Sequence, residues 1–222
     1  MTGATSFTAQ GWQQIGSIIS AIEEHPLVTA LGDGSLPEEV FAYYMRQDAA
    51  YLHHYSRMLA LAASQASIAS ESLFWANSSM TANSVELKLH SSFLGEDLAG
   101  EQVTPSPTCT AYTSHQAMQG SSGSYACLVA SLLPCFWIYE HVGRHLLRIA
   151  GEVSQNPYGQ WITTYADPAF AKSSAQARAI TDRACAELGA TERAAAMSAF
   201  VTSSRYEWMF WDAAWRQETW PV

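Results

Sequence analysis

Positive charge is scarce in this chain and nowhere gathered. Eleven Lys and Arg stand against 20 Asp and Glu among 222 residues, a formal net charge of −9. The nearest approach to a basic cluster is Arg144 with Arg148, one helical turn apart. Nucleic-acid binding needs a basic footprint to neutralise phosphates, so no nucleic-acid partner is expected. Long apolar runs are missing too. Crossing a bilayer takes about 20 predominantly apolar residues. The best stretch, Tyr125 to Tyr139, is shorter and holds Pro134. Met1 to Gln10 has neither a basic start nor a continuous apolar run, so no secretory signal and no membrane partner are expected. The expected setting is soluble and cytoplasmic.

Other absences remove whole chemistries. The four cysteines at 109, 127, 135 and 185 show no CxxC spacing and read as unbridged thiols. The densest glycine segment, Gly32-Asp33-Gly34, fits neither nucleotide-loop spacing. No Glu is followed three residues later by His, which removes the paired Glu-x-x-His signature of di-iron bundles. Glu140-His141 with His145 does not follow the His-Glu-x-x-His order of zinc enzymes, and no G-x-S-x-G elbow occurs. No metal site is expected, and His141 and His145 read as ordinary polar or core histidines.

Strand signals are almost absent, whereas helical ones are plentiful. A first helix is expected over Thr8 to Leu31, broken near His25-Pro26, and a second from Pro37 to Ser64. Others follow over Ser67 to Leu98, Pro107 to Gln119, and Ser124 to Ala150 with a kink at Pro134. A short helix around Trp161 precedes Pro168 to Leu188 and Thr191 to Glu218. The expectation is a single all-α domain over residues 1–222, a bundle of about seven to nine helices. Charged residues make up 14% of the chain, well under the roughly 25% of an average soluble domain. A charge-poor surface points to a homo-oligomer.

Three constellations could carry chemistry. Glu207 lies in the aromatic run Tyr206-Glu207-Trp208-Met209-Phe210-Trp211. A carboxylate walled by such rings is poorly solvated, so its pKa should rise toward the range of a general acid/base. The bland alternative is a terminal helix in which Glu207 pairs with a basic residue. Tyr44, Asp48, Tyr51 and Tyr55 follow spacings of four, three and four, which puts one acid on a tyrosine-lined helix face. Such a face suits a small, flat, nitrogen-rich ligand, although polar-tipped core packing fits equally. Cys135 and Tyr139 share a face directly after Pro134. That thiol becomes a useful nucleophile only with a base or donor nearby.

Taken together these segments resemble the TenA family of thiaminase II proteins. The resemblance rests on His25-Pro26, Leu36-Pro37, Tyr44, Gln47-Asp48, Tyr51-Leu52 and Tyr112-Thr113. It continues through Pro134-Cys135, Trp137-Ile138-Tyr139 and Trp161 to Tyr165. Tyr206 to Asp212 and Trp220-Pro221 complete it. It implies a haem-oxygenase-like helical fold, a homotetramer, no haem or other cofactor, and no metal. It also implies hydrolysis of thiamin or its aminopyrimidine breakdown products to 4-amino-5-hydroxymethyl-2-methylpyrimidine for thiamin salvage. By the same resemblance Cys135 matches the nucleophile and Glu207 the acid/base. Asp48 matches the residue binding the aminopyrimidine edge, Tyr112, Tyr139 and Tyr165 match pocket residues, and Tyr44 and Tyr51 join them. Ala49 and Ala50 depart from bulkier residues in relatives and leave substrate size open. Two rivals stand beside this reading. A cofactorless oxidase on the same scaffold would need histidines and arginines grouped around a polyanion, whereas His25, His53, His90 and His115 are scattered. A non-catalytic pyrimidine-binding or regulatory protein would use Asp48 and the tyrosines but have no need of Cys135.

Overall fold

The computed structural model describes residues 5–94 and 103–222, with side chains described outside 84–94. Among these residues the chain forms ten α-helices and one short 3-10 turn, with no strand. The order is α1 (Phe7–Gln14), α2 (Gly16–Glu23), α3 (Pro26–Asp33), α4 (Glu38–Gln65), α5 (Ala69–Leu94) and α6 (Pro107–Ser121). Then come α7 (Tyr125–Ile149), the 3-10 turn Val153–Gln155, α8 (Gly159–Tyr165), α9 (Pro168–Ala184) and α10 (Ala190–Trp215). The all-α expectation holds, but ten helices exceed seven to nine. The excess comes from the first segment, which divides at Ile15 and again at His25-Pro26. The expected end of the third segment, Leu98, lies outside the described residues, as do residues 1–4 and the side chain of His90.

Helix starts follow local chemistry. Ser6, Ser106, Ser124 and Asp167 each cap a helix by accepting from a backbone N–H of its first turn. Pro26, Pro107 and Pro168 occupy first-turn positions where the missing N–H costs nothing. His25 caps α3 unusually, its Nδ1 accepting from Leu27 N at 3.2 Å while Nε2 faces Asp212 at 3.7 Å. The His25-Pro26 pair is thus a helix-start device. Burial holds the His25 pKa below its ordinary value against the pull of Asp212.

α7 runs through the middle and packs on α10, α9, α8, α6, α4 and α3. It corrects one sequence expectation. At 25 residues α7 is long and apolar enough by composition to cross a bilayer, but 83% of its most apolar stretch is buried inside the fold. Its hydrophobicity is that of a central core helix. Pro134 sits within it, so the Ala130 carbonyl lacks its usual intrahelical donor. Near its other end, Gly143 lets the backbone of α8 approach. A Cβ there would stand 2.6 Å from the Tyr165 carbonyl carbon.

The helices flanking α7 are tied by a buried polar cluster. Glu71 of α5 accepts from Tyr125 of α7 at 2.9 Å and from Arg183 of α9 at 2.8 Å, while Trp75 donates to Tyr125 at 2.8 Å. The C-terminal tail fastens the start of α6. Glu218 accepts from Thr108 N at 2.8 Å, and Trp220 donates to the Pro105 carbonyl at 2.9 Å.

Candidate active site

Between α4, α5, α7, α8 and α9 lies a cavity of about 560 Å³, within the usual range for small-molecule sites. Its floor is built from Asp48, Tyr55, Cys135, Phe136, Tyr139 and Tyr165. The mouth runs between two exposed helix faces. Ser70, Leu73, Asn77 and Thr81 of α5 form one side, and Ala169, Lys172 and Gln176 of α9 the other.

Four of the eight candidate residues line this cavity: Asp48, Cys135, Tyr139 and Tyr165. Asp48 is buried on α4. Cys135 is half-buried on α7, and the Tyr55 side chain hydrogen-bonds to it. The Tyr139 and Tyr165 rings lie 5.0 Å apart at a tilt of 48°. The floor therefore offers one acid, one thiol and several ring faces in an apolar wall.

The other four sit behind that floor. Tyr44 donates its hydroxyl to Tyr139 Oη at 3.2 Å and stacks on Trp211 at 5.1 Å. Tyr51 accepts from Gln116 Nε2 at 2.9 Å and packs its ring on Tyr55 and Tyr112. Tyr112 donates to Glu207 Oε1 at 2.6 Å. The split among the tyrosines follows helix geometry. On α4 the cavity face runs through Asp48, Leu52, Tyr55 and Leu59, and Tyr44 and Tyr51 lie a few tens of degrees further round.

Glu207 is 1% exposed, and burial pushes its pKa up to about 8. The hydrogen bond from Tyr112 works the other way by favouring the carboxylate, and the charge of Asp48 adds to the rise. Among the described residues no cation forms an ion pair with Glu207. Among these residues the bland pairing with a basic residue is absent. The aromatic run also acts differently from the expectation, since Trp211 stacks on Tyr44 and Tyr206 on Tyr112. Glu207 is buried by the whole α4–α6–α7–α10 interface.

Several expectations find structural explanations. Gln47, one of the resemblance-bearing residues, bridges the loop before α6, accepting from Ser106 N at 2.8 Å and donating to the Thr104 carbonyl at 3.2 Å. Ala49 and Ala50 do not line the cavity. His141 and His145 both address Glu23, at 2.8 and 3.3 Å. Among the described residues no three His, Cys, Asp or Glu side chains converge as a metal centre. Cys109 is buried, and burial together with the nearby charge of Asp48 pushes its thiol up to about 12. The thiol of Cys185 is raised to about 12, mainly by burial.

Sequence reasoning left the mouth unassigned. The signal was present in α5, where Ser70, Leu73, Phe74, Asn77, Ser78, Thr81 and Ala82 recur at helical spacing. The stripe mixes small polar and apolar residues, so it gave no clear amphipathic pattern. A second cavity of about 820 Å³ lies on the opposite face of α7, around Trp12, Trp137 and Arg144, and contains none of the candidate residues.

Comparison with known proteins places this chain in a family. Residues 12–217 match the model of the TENA/THI-4/PQQC family. The aminopyrimidine aminohydrolase of Halalkalibacterium halodurans is 34% identical, over 97% of this chain and 98% of that protein. The thiamine biosynthesis multifunctional protein ThiED of Corynebacterium glutamicum is 36% identical over 96% of this chain, which spans only 27% of that longer protein. A TenA homologue from P. horikoshii superposes with a TM-score of 0.85 at 26% identity, covering 96% of this chain and 99% of that one. A Shewanella denitrificans domain described as having a haem-oxygenase-like fold superposes at 0.74 with 13% identity over 97% of this chain and 94% of its own, a likeness of fold alone. The match over residues 12–217 and the shared fold agree: the chain belongs to the TENA/THI-4/PQQC family.

Proposed function

We propose that this protein is an aminopyrimidine hydrolase of thiamin salvage. In this reading it replaces the amine of 4-amino-5-aminomethyl-2-methylpyrimidine, or the thiazolium of thiamin, by hydroxyl. The observation that carries the reading is one cavity floor holding Asp48, Cys135, Tyr139 and Tyr165, with Glu207 behind it at a pKa near 8. Similarity to aminopyrimidine aminohydrolases at 33–34% identity supports it.

Asp48 anchors the aminopyrimidine edge, because a carboxylate accepts well from an amidine-like donor pair. The Cys135 sulfur adds to a ring carbon while a ring nitrogen gains a proton handled by Glu207. The ring electrons then expel the group on the 5-methylene, as ammonia from the protonated aminomethyl group or as neutral thiazole from the thiazolium. Water adds to that methylene carbon, Glu207 takes its proton, and loss of the sulfur as thiol restores the aromatic ring. The balance is substrate amine plus water to alcohol plus ammonia. Tyr139 and Tyr165 frame the ring, while Tyr44, Tyr51 and Tyr112 hold the floor from behind.

The oxidase alternative needs cationic groups around a polyanion, yet Lys172 is the one cation among the described lining residues, with no His or Arg. Chromatographic assay of the purified protein on both substrates tests the reading. Release of the hydroxymethylpyrimidine supports it, and binding without turnover of either substrate points to the non-catalytic binder. Asp48→Asn keeps the shape but offers a neutral acceptor. It is expected to raise KM about tenfold or more and also to lower kcat. An unchanged KM would remove Asp48 from substrate recognition.

The same proposal covers the assembly and its setting: one domain per chain, a cytoplasmic homotetramer, with no nucleic-acid or membrane partner. A net charge of −9 and a charged content of 14% support it, as do Ile68, Leu73 and Met80 exposed on or beside α5. Light scattering at micromolar concentration is expected to give four times the 24.3 kDa of one chain. The mass of a single chain would overturn the assembly, and the mass of two would overturn the tetramer.

A further inference from the structure

We infer a second ligand site on the far side of α7, a basic groove that takes a phosphate monoester carried on a flat apolar body. It shares no lining residue with the cavity of Asp48 and Cys135. It does not depend on the hydrolase reading.

The fold gathers here the positive charge that the sequence scatters. Arg144 and Arg148 stand on successive turns of α7, and Arg178 of α9 lines the same groove, whose volume is about 820 Å³. That size lies within the range of small-molecule sites. Three of the eleven Lys and Arg of the chain therefore meet in one place, against one acid, Glu140, among the described lining residues. On a chain of net charge −9, such a local excess of positive charge is a focus for anions.

Glu140 holds two of the arginines together. Its side chain is 8% exposed, with Oε1 facing Arg144 Nη1 at 3.3 Å and Oε2 facing Arg178 Nη2 at 3.9 Å. A guanidinium carries five N–H donors, so one shared carboxylate leaves most of them over. The Arg144 side chain is 69% exposed and that of Arg178 31%, which keeps those donors open to the groove. Trp137 positions Arg178 further, with its ring centroid 4.9 Å from the guanidinium carbon. Arg148 contacts His145 Nδ1 at 3.3 Å and has no acid partner among the described residues.

Charge and shape select the ligand. Three guanidiniums against one carboxylate leave two positive charges, which match a phosphate monoester at about −2 better than a singly charged carboxylate. Guanidinium forks also suit phosphate oxygens. The other acids nearby are engaged elsewhere. Glu23 addresses His141 and His145 at 2.8 and 3.3 Å, and Asp167 caps α9 by accepting from Ala169 N at 2.6 Å. The apolar wall comes from Trp12 of α1, stacked on Trp137 at 4.2 Å, with Leu147 and Pro168. Leu147 is 43% exposed, so a ring laid on this wall buries apolar surface that free phosphate would leave wet. Three arginines are too few for a nucleic-acid backbone, which is held by many phosphate contacts.

The test is isothermal titration calorimetry of the intact protein in phosphate-free buffer, with phenyl phosphate, inorganic phosphate and phenol as probes. Phenyl phosphate is expected to bind with a Kd below about 1 mM, inorganic phosphate about tenfold more weakly, and phenol not measurably. Arg144→Gln and Arg178→Gln should each weaken phenyl phosphate about tenfold by removing a charge-assisted contact. Each leaves Glu140 paired with the other arginine. Arg148→Gln, which breaks no ion pair, should cost about threefold and keeps the test available if either of the others fails to fold. Lys172→Met, at the mouth of the other cavity, should change nothing. Absence of binding at about 10 mM phenyl phosphate would overturn the inference. So would binding lost in Lys172→Met but kept in the arginine variants, which would put the ligand in the other cavity. Equal affinity for phenyl and inorganic phosphate would overturn the assignment of an ester. If Arg178→Gln changed the mass seen by light scattering, the groove would be a contact between copies of this chain and the inference would fail. A wild type with no hydrolase turnover would leave all of these results standing.

Discussion

Cys135→Ser is expected to remove turnover almost completely, on the order of 10³-fold or more, while the protein still binds the aminopyrimidine. A hydroxyl is a far weaker nucleophile than a thiolate, and activating it needs a base aimed at the oxygen. The lining residues include no His, and the Tyr55 hydroxyl beside Cys135, which donates to the Leu132 carbonyl at 2.9 Å, is a poor base. The other thiols provide the control. Cys109 is buried, with its pKa pushed up to about 12, and it does not line the cavity. Cys109→Ser should therefore keep turnover within a few-fold of wild type. Single-turnover kinetics on both substrates separates loss of chemistry from loss of binding. If Cys135→Ser kept wild-type rates, the covalent route would be wrong.

The contrast between these cysteines shows what was legible in the sequence. Cys135 stood out because Pro134 precedes it and Tyr139 follows at helical spacing, a local pattern that the helix preserves. Asp48 and Tyr55 were legible for the same reason. What the sequence could not order was depth. Tyr44 and Tyr51 share the helix of Asp48, yet a small rotation puts them one layer behind the cavity. Likewise the burial of Glu207 was legible, but its partner was not. Tyr112 lies 95 residues away, and the pairing comes from the packing of α6 on α10. The division of the first helix at Ile15 was missed because its one marker, Gly16 at the start of α2, is a single glycine that a helical pattern also tolerates. The apolar reading of α7 stopped at Tyr139 because polar residues follow, whereas the helix continues to Ile149. Its polar tail includes Glu140, which is buried between Arg144 and Arg178.

Glu207→Gln is expected to slow turnover by roughly 10²–10⁴-fold, the usual worth of a positioned acid/base, with little change in binding. The amide preserves the shape and can still accept from Tyr112, but it cannot exchange a proton. In the wild type the protonated carboxyl must deliver the ring proton, so kcat/KM should fall about tenfold per unit above pH 8. That limb should be missing from the residual activity of the variant. The same shift has a consequence for stability that needs no substrate. Folding raises the Glu207 pKa from 4.5 to about 8, so the folded state holds a proton that the unfolded chain has released between those values. The contribution is full below pH 4.5 and is lost as pH rises through about 8. By pH 9 the loss is on the order of 5 kcal/mol. The amide of the Glu207→Gln variant would carry no such dependence, so the Tm of the variant relative to wild type should climb with pH, by on the order of 10 °C between pH 5 and 9. A Tm difference that stays flat across this range would mean Glu207 is ionised in the fold at neutral pH. It would then be unable to serve as the proton donor that the hydrolysis requires.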